Sequence, residues 1–255
     1  MKIKVWIISM SCLVGSCSAA MAQQIFIPYG KITFEKRLNM QRSISDWNIP
    51  DEAKENVKKY RISDWELYFD KQRSLYKAKK NEAEIGNQLM FLSLNEYHNE
   101  LFADYLNKKR IIKKDIMGDE YLLADTIPQI SWKIMRDLRI IAGYECRKAI
   151  GKINYTITVV AFYTDEILLK GGPEGFSGLP GMILGIAIPR LNTTWFATRV
   201  DGFANHADQI APPLKGKKTE SGKELDRLLE IYSRYSGRQN EKPEDSRRRL
   251  FGFLL

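Results

Sequence analysis

The sequence predicts a mainly β fold of the α+β type. The expected architecture is a single curved antiparallel sheet of many short strands, with a C-terminal amphipathic helix packed on it. Three observations predict this. Short alternating or β-branched runs recur along the chain, turn residues separate them, and one late segment has sustained helical spacing. Strands gathered before a final helix imply an antiparallel sheet with segregated helices.

The first residues stand apart from that fold. Lys2 and Lys4 precede the apolar run Val5 to Leu13, and Ala20-Met21-Ala22 has small-x-small cleavage spacing. Residues 1–22 read as a secretory signal peptide, so export to the periplasm or cell surface is expected, with Gln23 as the new N-terminus. Val14-Gly15-Ser16-Cys17 is a rival lipobox, in which lipidated Cys17 anchors the chain as a membrane lipoprotein. Cys12 and Cys17 fall in this region, so ordinary cleavage leaves only Cys146 and no internal disulfide.

Residues 23–236 read as one β-rich domain. Lys31 to Glu35 alternates polar and apolar, and Pro50-Asp51 opens a short polar helix over Glu52 to Lys59 with its acids first. Trp65 to Phe69 alternates again, with Trp65, Leu67 and Phe69 on one face. Asn81 to Asn99 is polar and reads as a loop excursion. Leu101 to Tyr105, Arg110 to Ile112 and Tyr121 to Ala124 read as hairpin strands turned at Asn107-Lys108 and Gly118-Asp119; a helix over Leu94 to Asn107 is the alternative.

Ile130 to Met135, Leu138 to Ile141 and Tyr144 to Lys148 are further strands, and Asn154 to Phe162 is the clearest of all. Met182 to Ile188 is too short and too apolar for most helices, so it reads as a strand buried on both faces. Thr193 to Val200 alternates. Ser221-Gly222-Lys223-Glu224 has capping-box spacing, with Leu225, Leu228, Leu229, Tyr232 and Tyr235 following at helical intervals, so a helix is expected over 221–235. Residues 237–255 form a polar, then basic and apolar tail. That tail suits either a docked terminal strand or contact with a membrane or partner.

Forty Lys and Arg against 31 Asp and Glu give a net charge of +9. A basic exported chain favours acidic surfaces such as a membrane, anionic glycans or acidic polypeptides. Nucleic acid is not expected, because the basic residues cluster only at Lys108-Lys109-Arg110 and Arg247-Arg248-Arg249, with no accompanying motif.

Gly171-Gly172-Pro173-Glu174-Gly175-Phe176-Ser177-Gly178-Leu179-Pro180-Gly181 is the densest turn-forming stretch and runs directly into the apolar segment from Met182. Gly178-Leu179-Pro180-Gly181-Met182-Ile183-Leu184 resembles the motif of the GLPGLI family of cell-envelope proteins from Bacteroidota, with Met182 where the family has Leu. Ser131 to Ile134, Ile141 to Ala149, Lys31 to Asn39, and Phe69 with Ser74-Leu75-Tyr76 resemble other segments of that family. Ala161 to Glu166 departs from it by lacking a Trp. The resemblance implies an exported, mostly antiparallel β protein without established enzymatic activity, whose default role is accessory to an outer-membrane transport system or another envelope protein.

Pro180-Gly181 suits the centre of a type II turn, with Gly181 supplying a positive φ. The expected recognition loop comprises Pro173, Phe176, Gly178, Leu179, Pro180 and Gly181, with Phe176 and Leu179 exposed; a turn that merely feeds a core strand is the plainer reading. The stretch lacks the ending of a phosphate loop, and Gly175-Phe176-Ser177-Gly178 lacks nucleophile-elbow spacing. No catalytic residue, cofactor or metal site is assigned. His206 with Asp201 and Asp208 is the one combination suggesting metal binding or hydrolysis, His98 lies in the polar excursion, and Cys146 beside Arg147 and Lys148 suggests either a reactive thiol or a small core residue. A carrier or chaperone for lipid or apolar peptide is the alternative to the accessory role.

Overall fold

A computed structural model of the chain describes residues 25–45, 50–79, 99–116, 119–153 and 157–219. The signal peptide with Cys17, most of the polar excursion with His98, the 221–235 helix and the 237–255 tail lie outside the described residues.

One open sheet of twelve strands dominates. The strands are β1 (Gly30–Asn39), β2 (Tyr60–Phe69), β3 (Arg73–Ala78), β4 (Glu100–Asp104), β5 (Lys109–Ile116), β6 (Asp119–Thr126), β7 (Trp132–Ile141), β8 (Tyr144–Ile153), β9 (Ile157–Thr164), β10 (Met182–Ile188), β11 (Thr193–Gly202) and β12 (Lys217–Thr219). Their order across the sheet is β12-β6-β5-β4-β3-β2-β1-β11-β10-β9-β8-β7, antiparallel except where β12 joins β6 in parallel. Two short helices, α1 (Met40–Ser43) and α2 (Asp51–Glu55), fill the β1–β2 connection. The helix expected at 52–59 is this shorter α2, opened by Pro50 with Asp51 and Glu52 in its first turn. Of the helical alternative at 94–107, the described part from 99 onward forms strand β4 and a turn, with Asp104 accepting from the Asn107 amide.

Alternation decides which side chains enter the core. Along β1, Gly30, Ile32, Phe34 and Lys36 are buried while the residues between them are more open. Ile32 lies opposite Leu67, and Phe34 opposite Trp65, so β1 and β2 share one apolar face. Met182, Ile183 and Leu184 in β10 are fully buried in succession, as the continuous apolar run predicts. The sheet is strongly coiled. In a flat sheet β7 and β11, four positions apart, would be about 19 Å from each other, yet the Arg139 guanidinium of β7 sits 4.5 Å from the Phe196 ring of β11.

The β7–β8 hairpin turns at Ala142-Gly143, both with positive φ (49° and 88°), the geometry of a type I′ turn. Alanine is poorly suited there. Ala142→Asn is expected to raise stability by about 0.5–1 kcal/mol, because Asn tolerates the left-handed region better. Urea denaturation of the two proteins checks this.

Candidate functional site

The Gly-Pro-rich stretch belongs to the long connection from β9 to β10, residues 165–181. At its start the chain exchanges backbone bonds with the N-terminal segment: the Ile27 amide donates to Glu166 O (2.8 Å), and the Leu168 amide to Ile27 O (3.0 Å). Farther on, the Ile183 amide donates to Gly171 O (2.8 Å), folding the connection back on β10. Pro173–Gly175 then makes one 3₁₀ turn, closed by the Phe176 amide on Pro173 O (3.1 Å).

This turn carries a buried carboxylate. Glu174 has φ 53° and ψ 21°, a left-handed conformation uncommon for a side chain of its size, and is only 7% exposed. Its Oε1 accepts from Trp195 Nε1 (3.1 Å) and lies 3.7 Å from Lys36 Nζ. The Lys36 ammonium sits between two indoles, 5.3 Å from the Trp65 ring centre and 5.4 Å from that of Trp195. Tyr76 stacks on Trp65 at 4.9 Å, nearly parallel. A charge pair walled by aromatics thus ties the turn to β1, β2 and β11.

Two further contacts extend the tie. Trp132, the first residue of β7, donates from Nε1 to Ser177 O (2.8 Å). Tyr105, just past β4, shares a hydroxyl contact with Ser74 of β3 (3.2 Å) and hydrogen-bonds the Gly172 backbone; burial pushes its pKa up. The connection therefore spans one face of the sheet from β3 and β4 to β7.

The expected exposure of the loop is corrected by this arrangement. Phe176 (4% exposed) and Leu179 (2%) are buried in the same apolar cluster as Phe34, Leu67 and Leu101, and Pro173 and Gly181 are buried as well. Only Gly178 and Pro180 among the six reach the surface. The type II turn is also corrected. Gly181 is not at positive φ; Gly178 is, at 95°. Gly181 is needed for a different reason, since a Cβ there would lie 2.0 Å from Thr164 O.

The remaining candidates do not assemble a site. Burial, followed by the charge of Glu166, pushes the Cys146 thiol up to about 12, which opposes a reactive thiolate and fits a small core residue. The His206 ring meets Tyr68 edge-on at 5.3 Å, whereas Asp201 is held by Arg199 at 2.6 Å. Asp208 is lowered chiefly by its hydrogen bond from Gln209, and His206 lies close enough to help lower it. Among the described residues no three His, Cys, Asp or Glu side chains form a metal-binding group.

Lys36 and Glu174 escaped the sequence reading, whereas Trp65 and the strand that carries Trp195 were expected, without a part in this site. A signal was present for Lys36, which continues the parity of buried Ile32 and Phe34.

Residues 151–185, from the end of β8 through this connection into β10, match the model of a family described as a protein of unknown function (Porph_ging). The match spans the braced turn itself. Two crystal structures of PNGF-II resemble the chain in fold. The form in space group P21 is 14% identical with a TM-score of 0.51, covering 77% of this chain and 32% of that one. The C2 form is also 14% identical with a TM-score of 0.52, covering 79% and 32%. The chain thus spans about a third of the length of PNGF-II. Comparison with curated proteins gave no match.

Proposed function

We propose that this chain is an exported cell-envelope protein of the GLPGLI type that binds a partner without turning it over. The partner is part of an outer-membrane transport system or another envelope protein. One observation carries the reading: the family-like loop is built as a brace for the sheet, and of its exposed residues Gly178 and Pro180, Gly178 emerges beside Trp132 at the start of strand β7. A braced sheet that presents a fixed corner suits recognition, because little ordering remains to be done on binding. The carrier alternative asks for more. Phe176 and Leu179 are packed against the sheet, so an apolar guest would first have to displace them.

A photo-crosslinking residue placed at Pro180 in the producing bacterium, with exposed Arg190 as the control position, tests the proposal. A discrete protein adduct from position 180 and none from 190 is expected. Lipid adducts alone, no adduct, or the same adducts from both positions would overturn it.

A further inference from the structure

Strand β7 ends the sheet, and its outer side pairs with no other strand among the described residues. An edge strand leaves every second N–H and C=O pointing outward, a template for a further strand. Natural edges are commonly kept short or charged; β7 is ten residues long and, beside its four charged residues, carries three bare aliphatic side chains: Ile134 (46% exposed), Leu138 (54%) and Ile140 (65%).

The register shows that these three share a face. Ile134 lies opposite Ala149, Leu138 opposite Arg147 and Ile140 opposite Glu145, and those partners alternate along β8. Trp132, opposite Gly151, begins the same row and is where the Gly-Pro loop ends its cover of this face. Beyond Trp132 the row is uncovered among the described residues. The other face of the edge is cationic. Lys133 lies opposite Ile150 and Arg139 opposite Cys146, and the Arg139 guanidinium is fixed over Phe196 (4.5 Å) and Phe162 (5.6 Å).

Charge selects the occupant. Strands β7 and β8 together hold six basic residues (Lys133, Arg136, Arg139, Arg147, Lys148, Lys152) and two acidic ones (Asp137, Glu145), a net of +4. Edge-to-edge pairing with a second copy would bring two such surfaces together, which is repulsive. A bulge between Ile134 and Leu138 also interrupts any long ladder, so the added strand is short.

From this edge we infer a docking site for a short extended acidic segment of another protein, added as a strand along the Leu138–Ile141 half of β7. Its alternate residues are apolar, against Leu138 and Ile140, and acidic, drawn by the net positive charge of β7 and β8. The inference rests on the binding role proposed above and names its surface and partner class.

The test uses the purified chain and a fluorescent eight-residue peptide alternating glutamate with valine, beside a lysine–valine peptide of the same pattern. Anisotropy is expected to show the glutamate peptide binding at least about ten-fold more tightly, with the difference shrinking at high salt. The exposed double substitution Leu138→Glu with Ile140→Glu, which removes the apolar row and repels an acidic strand, is expected to abolish binding while leaving the Tm unchanged. Equal binding of the two peptides, or full binding by the folded double variant, overturns the inference. A dimer that the double variant disperses, without peptide binding, overturns it in favour of a second copy. Position-180 crosslinks with no peptide binding would spare the binding role and reject this edge; peptide binding without crosslinks would do the reverse.

Discussion

Replacing Glu174 with alanine is expected to lower stability by about 3–5 kcal/mol, the usual loss when one member of a buried ion pair is removed. The truncation removes the Glu174 carboxylate from beside the Lys36 ammonium and deprives the Trp195 N–H of its acceptor. Alanine at φ 53° is strained much as glutamate is, so the change isolates the side chain. Removing both charges, as Lys36→Met with Glu174→Leu, is expected to be far milder, because apolar replacements of similar size spare both desolvation penalties. A double-mutant cycle read by urea denaturation decides the matter. If Glu174→Ala costs no more than the double replacement, the two charges are not coupled and the brace does not depend on them.

Gly181→Ala is expected to be worse still, beyond about 4 kcal/mol, in the range reserved for severe backbone or packing conflicts. The added methyl would meet Thr164 O at 2.0 Å, Thr164 C at 2.7 Å and Asp165 Cα at 2.9 Å, all main-chain atoms that cannot rotate aside. Gly143→Ala supplies the contrast. It sits at φ 88° with nothing within 4 Å of the new Cβ, so only conformational strain of about 1–2 kcal/mol is expected. The ordering is checked by yield of folded protein and by thermal unfolding of both variants. Gly181→Ala unfolding at or above the Gly143→Ala temperature would show that β9 and β10 do not need their close approach.

Much of the sheet was legible in the sequence because a half-buried strand writes its burial as alternation. Ile32 and Phe34, Trp65 and Leu67, and the apolar run from Met182 fall where the pattern puts them. The site was less legible. Turn-forming residues announce a bend but not the side of the chain on which neighbouring side chains fall, so Phe176 and Leu179 read as surface residues although the loop folds them inward. Gly181 matched a turn template locally, while its actual constraint comes from Thr164, seventeen positions earlier. Lys36 shares the parity of buried Ile32 and Phe34, but the carboxylate that meets its charge, Glu174, emerges only once β1, β11 and the connection are side by side.

The strand order also has a kinetic meaning. Strands β2 to β6 lie on one side of β1 and β7 to β10 on the far side of β11, and each wing is laid out by pairing neighbours in sequence. The seam between wings is different: Gly30 meets Gly202 and Leu38 meets Thr193, and the Thr198 hydroxyl reaches Thr33 O across 165 positions. Closing so long a loop costs entropy before the seam's contacts repay it, and folds dominated by such pairings form slowly. Each wing can gather early, but β1 keeps an open margin until the last third of the chain arrives. The slow step in folding is therefore the meeting of β1 with β11, and substitutions at this seam should retard refolding more than equally destabilising ones in the outer hairpins.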